Sequence, residues 1–132
     1  MLPLEIVEEI DAPLLAVWDQ LTRVSQWPSW GPSVTGVRCA DECIRLGSVG
    51  RVRTAVGLWL SFEVTELEPG QFWRWRVAGV EATGHRVEPA GPGRCRLVFE
   101  VPWWAAPYAL VCRRAARRIA QICATCPPST PD

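Results

Sequence analysis

Apolar and polar residues alternate along most of this chain, and the alternation gives way to helical spacing near each end. Leu4, Ile6 and Ile10 recur at period two, which predicts a strand whose apolar parity also carries Glu8, an unusual place for a carboxylate. Asp11-Ala12-Pro13 supplies a capping candidate and a proline placed for a first helical turn. Leu14, Val17, Trp18 and Leu21 then follow at helical spacing, predicting a short helix that ends near Thr22. Ser25 is a cap candidate for a second helical turn carrying Trp27, which Pro28 and Gly31-Pro32 keep short. Alternation resumes at Val34. Six further strands are expected at Val34 to Ala40, Gly50 to Val56, Leu58 to Leu67, Phe72 to Gly79, Val80 to Glu88 and Arg94 to Val101. Gly47-Ser48, Gly57, Glu68-Pro69-Gly70 and Ala90 to Gly93 are turn chemistry suited to hairpins, so the sheet is expected to be an antiparallel meander.

The same alternation assigns faces. Leu58, Leu60, Phe62 and Val64 share one parity, as do Trp73, Trp75 and Val77, and Leu97, Phe99 and Val101; these form the expected core. Glu63, Thr65, Arg74, Arg76, Arg96 and Glu100 fall on the other parity, giving the sheet one wet side. Trp59 breaks the rule and is expected near an edge. From Trp104 to Cys126 the period is helical: Tyr108, Val111, Cys112, Ala115, Ile119, Ile122 and Cys126 share a face, opposite Arg113, Arg114, Arg117, Arg118 and Gln121. The middle of that apolar face is small, at Cys112, Ala115 and Ala116. Facing Trp73 and Trp75, it predicts a cavity between helix and sheet. The fold class is therefore α+β, one domain over residues 1–126 with a frayed polar tail at 127–132.

Composition narrows the function classes. A chain of 132 residues with 48% apolar content supports one core. With 14 acidic and 14 basic residues, all of the latter arginine, it carries neither the signature of disorder nor a nucleic-acid footprint. No basic segment leads into a long apolar run and no stretch approaches the length of a membrane span, so a soluble cytoplasmic protein without membrane insertion is expected. In that compartment the six cysteines stay thiols and read first as small core residues. Cys123 and Cys126 have zinc or redox spacing but no second pair near them, and neither metal nor cofactor is expected. The helix arginines could meet phosphate or an anionic surface; the solvated back of a packed helix is the plainer reading, and net neutrality favours it.

Particular residues tie this order of elements to a known architecture. Ile10-Asp11-Ala12-Pro13, Val17-Trp18 and Trp27-Pro28-Ser29-Trp30 resemble the opening signature of the START-like (SRPBCC) superfamily with its helix-grip fold. Gly47-Ser48, Thr65 to Gly70, Trp75, Gly84-His85 and the Gly93 turn resemble the bacterial polyketide cyclase/dehydratase and lipid-transport group within it, in register from about residue 4 to 124. The resemblance implies a deep cavity for a small apolar or amphipathic molecule, closed by the long helix and by loops at one end of the sheet. It implies no reaction, because members range from carriers and sensors to cyclases.

The only histidine, His85, shares inward parity with Thr83 and Val87, and its possible companions are Glu8, Thr54 and Tyr108. No Ser/His/Asp set or glycine-rich nucleotide loop is present, so acyl transfer and phosphoryl chemistry have no support. Two readings follow. The first is a binding domain for a lipid, polyketide or aromatic compound, with Thr54, Phe62, Trp73, Trp75, Thr83, His85, Phe99, Tyr108, Cys112 and Ala115 as ligand contacts. The second is a cyclase or dehydratase using His85 and Glu8 as acid and base. A plainer third is that the tryptophans fill the interior, leaving a domain that works through its surface.

Overall fold

The computed structural model describes residues 3–125; Cys126 and the expected tail at 127–132 lie outside the described residues. The strands are β1 (Leu4–Ile10), β2 (Val34–Cys39), β3 (Val49–Thr54), β4 (Trp59–Glu68), β5 (Phe72–Val77), β6 (Val80–Pro89) and β7 (Cys95–Val101). All pair antiparallel in one sheet of order β1-β7-β6-β5-β4-β3-β2. Every neighbour from β2 to β7 is also a neighbour in sequence, as short turns require, and β1 alone returns to pair with the last strand, Leu4 opposite Val101.

Helix α1 spans Leu14–Thr22 and α2 spans Trp27–Trp30, with a 3₁₀ turn at Val24–Gln26 between them. Neither start is capped by the residue the sequence suggests. Pro13, with ψ 145°, is itself the cap position of α1, and Asp11 instead pairs with Arg94 at 3.2 Å. Ser25 lies inside the 3₁₀ turn, and Gln26 precedes α2 without a side-chain bond. What fixes α2 is its indoles: Trp27 Nε1 donates to the Leu21 carbonyl at 2.9 Å and Trp30 Nε1 to the Gln20 carbonyl at 2.8 Å. Both bonds use carbonyls at the end of α1 that have no helical partner.

The chain next bends sharply at two places in the sheet. Ala78 and Gly79, with φ of 51° and 76°, form a two-residue turn of the primed type between the paired Val77 and Val80. Gly79 thus belongs to the turn, and not to the strand that alternation assigned it. Register also slips on both sides of Trp75: Thr65 is extra on β4, and Ala82-Thr83 together face Trp75 from β6. Such bulges switch parity and bend a strand. Past them, Leu67 on β4 and Thr83, His85 and Val87 on β6 face inward, and the sheet curves where it carries Trp75.

The C-terminal element begins as a 3₁₀ segment, Trp103–Tyr108, and becomes helix α3 at Ala109–Thr125. Pro107 lacks an N–H, and Ala105 departs to φ −106°, ψ 29°, so the first turns cannot be regular α-helix. Below them α3 lays Cys112, Ala115, Ala116, Ile119 and Cys123 on β1 and β7, while Arg113, Arg114, Arg117 and Arg118 face outward. The core beneath includes Ile10, Val17, Leu21, Leu97 and Val101. Gly50 is required by close approach, since a Cβ there would stand 2.4 Å from the Arg38 carbonyl and 2.9 Å from the Phe62 ring.

On the other side of the sheet Glu100 bridges Arg74 and Arg86, and Arg86 also pairs with Glu88 and Glu5. These long side chains roof Val98, which is buried in spite of its outward parity. One sequence assignment shifts: Leu58 falls before β4 and is 62% exposed. Trp59 starts an interior strand on the outer face, and its ring reaches the edge strand β2, against Gly36 and with the Arg38 guanidinium 4.7 Å above it. Cysteine usage is mixed as well: Cys95, Cys112 and Cys123 are buried, Cys39 is half-buried and Cys43 is exposed.

Candidate ligand-binding site

The interior between sheet and α3 is occupied mainly by rings. Trp27 of α2 stacks on Trp73 at 5.6 Å and 7°, and Trp73 stacks on His85 at 3.9 Å and 15°. Phe62 and Trp75 pack tilted or edge-on against Trp27, and Trp30 stacks on Phe99. Three parallel rings bridge most of the depth that the small residues of α3 leave open. Between this stack, Cys112 and Ala115 there remains a chamber of about 40 Å³, room for one or a few water-sized groups.

Its polar wall is one connected chain. The Trp73 carbonyl lies 3.2 Å from His85 Nδ1 and can only accept, so Nδ1 carries the proton. Nε2 is then an acceptor for the Thr83 hydroxyl at 3.2 Å, whose oxygen in turn accepts from Trp75 Nε1–H at 3.1 Å. The Thr83–Trp75 bond is a product of the β6 bulge, which places Thr83 directly opposite Trp75. Burial pushes the His85 pKa down to about 3; the bond to the Trp73 carbonyl opposes this, and the nearby Arg74 charge adds to it. His85 is therefore a neutral, fully engaged imidazole at any physiological pH.

A wider groove of about 480 Å³ opens at the end of the sheet where β3, β5 and β7 finish. Val52, Thr54, Leu60, Val77 and Ala82 form its floor, and Pro102, Trp104, Ala105 and Tyr108 its far wall. Ser33, Val34, Trp75, Thr83 and Tyr108 line both spaces and so form the collar between them. Ser33 Oγ and Tyr108 Oη close one side of the collar with a 2.7 Å hydrogen bond. The Tyr108 phenol is held above its usual pKa, mainly by burial, and is neutral at pH 7.

Of the residues expected at the site, Trp73, Trp75, Thr83, His85, Phe99, Tyr108, Cys112 and Ala115 line the chamber, and Thr54 joins Trp75, Thr83 and Tyr108 along the groove. Phe62 lines neither; it is packed inside the aromatic cluster. Glu8 also lines neither. It is half-buried on edge strand β1 opposite Leu97, and Leu97 in turn is opposite Val87. That puts Glu8 and His85 two strands apart and two residues out of level, about 12 Å, with buried β7 side chains between them.

Sequence reading missed Trp27, Trp30, Ser33, Val34 and the groove wall at Leu60, Ala82 and Ala105. Trp27 and Trp30 at i, i+3 carried a signal, since two tryptophans on one face of a short helix must be covered. Ser33 sits in an aperiodic loop and carried none. Among the described residues no three His, Cys, Asp or Glu side chains gather as a metal site would require.

A curved antiparallel sheet that grips a C-terminal helix and opens in an apolar groove at one end defines a helix-grip, START-like domain. The chain belongs to the polyketide cyclase / dehydrase and lipid transport family, whose sequence model matches residues 1–122. No curated protein matches it in sequence. Among solved structures it is similar to the protein XoxI from Bacillus cereus, with 10% identity and a TM-score of 0.72 over 95% of this chain and 97% of that one. It is also similar to CV1439 from Chromobacterium violaceum, at 17% identity and a TM-score of 0.65 over 93% and 98% of the two chains. DynU16, a protein of the dynemicin biosynthetic locus, gives 19% identity and a TM-score of 0.65 over 92% of this chain but 47% of its own length. At these identities the likenesses show the fold.

Proposed function

We propose that this protein is a carrier or sensor that binds one small apolar or amphipathic molecule in the groove, with one end of the molecule at the collar. The observation that carries this reading is the groove itself: about 480 Å³, lined mainly by apolar side chains and open at one end of the sheet. That volume lies within the usual range of small-molecule sites. Enclosing roughly 200 Å² of ligand apolar surface at about 25 cal/mol per Å² is worth about 5 kcal/mol before ordering costs, enough to hold a ligand without any charge pair. Family membership supports the same reading. No helix of the described residues is long and apolar enough to cross a membrane.

The cyclase or dehydratase alternative needs an acid and a base converging on one reacting region. His85, with its pKa near 3 and both nitrogens engaged, is a poor base, and Glu8 stands two strands away.

The test is a titration with the neutral fluorophore N-phenyl-1-naphthylamine, which brightens in apolar surroundings. Val77→Trp places a large ring in the groove floor and should weaken binding at least about tenfold, the cost of lost apolar contact. If that variant keeps the parent circular dichroism spectrum and binds the probe as well as the parent does, the groove is not the site.

A further inference from the structure

Resting on the reading just given, the geometry points to a ligand that is uncharged at its buried end: we propose that the collar selects a neutral carbonyl or hydroxyl oxygen and rejects a carboxylate.

The polar atoms that a ligand reaching the collar would meet are all neutral. Ser33 and Tyr108 share one hydrogen bond, so whichever hydroxyl accepts still has its own proton to donate. Thr83 spends its proton on His85 and one lone pair on Trp75, leaving one lone pair. The collar thus offers one free hydroxyl donor and neutral acceptor lone pairs on Thr83 and on the Ser33–Tyr108 pair. A ketone oxygen or the oxygen of a hydroxyl can accept from that donor, and a hydroxyl can also donate to Thr83.

Charge decides against an acid. Chamber and groove are lined by no arginine, and His85, the one basic side chain on their walls, is uncharged. Their only other ionisable carboxyl or basic group is Glu81, at the groove rim, whose negative charge repels an incoming carboxylate even though Arg74 partly offsets it from 3.4 Å away. A carboxylate entering the collar would give up its hydration without gaining a counter-charge, and buried ions persist only when paired. The arginines of this protein lie elsewhere. Arg74 and Arg86 are engaged with Glu100 on the far side of the sheet, and four more stand on the outward face of α3. A chain this rich in arginine that puts none of them into its apolar groove is built for a ligand lacking an acidic buried end.

The experiment compares three compounds sharing one ring body: naphthalene, 2-acetylnaphthalene and 2-naphthoate, by equilibrium dialysis at pH 7. The ketone should bind at least tenfold tighter than the carboxylate and several-fold tighter than naphthalene. In the double variant Ser33→Ala, Tyr108→Phe the ketone's advantage over naphthalene should shrink to within about twofold, because a free hydroxyl donor has been removed. A carboxylate that binds as well as the ketone overturns the inference while leaving the groove in place, and so does a ketone advantage that survives the double variant. Failure of all three compounds to bind the parent overturns the groove reading and this inference with it.

Discussion

Burial, rather than a charged neighbour, is the main cause of the His85 shift, and this has a consequence for stability. In the unfolded chain the imidazole titrates near 6.5, whereas in the fold its pKa is about 3. Between those values the unfolded state binds a proton that the native state does not, so stability rises with pH through this window and is lost as pH falls below about 6.5. The contribution is fully present above 6.5. From pH 7.5 to 5.5, where carboxylates remain largely ionised, urea unfolding should show a loss of about 1.4 kcal/mol from this residue alone. His85→Gln should lack that component whatever its absolute stability. Equal parent stabilities at the two pH values would mean that His85 titrates normally and that the buried hydrogen-bond chain is misassigned. Glu88, held below the usual carboxylate range chiefly by its bond to Arg86, adds its own loss only at lower pH.

The hairpin of β5 and β6 shapes the site more than any other element. Its turn puts Ala78 at φ 51°, a region where a Cβ costs about 1–2 kcal/mol, next to Gly79, which tolerates it. Asn-Gly is the pair best suited to such turns. Ala78→Asn should therefore stabilise the protein by about 0.5–1 kcal/mol, read as a higher urea midpoint at unchanged slope. A lower midpoint would indicate that the turn is not of the primed type. Beyond the turn, the bulge at Ala82-Thr83 aims Thr83 and His85 inward and brings Thr83 to the Trp75 indole, so one extra residue creates the polar side of the collar.

Across the molecule, protection from solvent is uneven. β7 lies between β1 and β6 and is covered by α3 on one face and by the Arg74–Glu100–Arg86 roof on the other. β2 is the far edge, paired only with β3. Native-state hydrogen exchange should find the amides of Leu97 to Val101 opening only with global unfolding, and those of Val37 and Cys39 exchanging about a hundredfold faster or more by local opening. Equal protection would show that the β2 edge is covered by something outside this chain. The groove lies at the ends of the strands, where hairpin turns, the 3₁₀ segment and the loop before β2 meet.

Period and parity carried most of the architecture without tertiary knowledge. Alternation located all seven strands, helical spacing located α1 and α3, and the short turns ordered the meander, because each of these is a local property of a chain that must bury one face. The inward placement of Trp73, Trp75, Phe99 and Cys112 was legible for the same reason. What the tertiary structure decided was how the interior is shared. Two bulges, invisible to a fixed period of two, turned Leu67 inward, set Thr83 opposite Trp75 and curved the sheet. Trp27 came from another element to stack on Trp73, so the space left by Cys112 and Ala115 shrank to about 40 Å³ and the larger opening moved to the sheet's end. Glu8 and His85 shared an inward parity in sequence, yet parity fixes only which face a side chain takes. Strand order, set by the long-range return of β1 to β7, is what placed them apart.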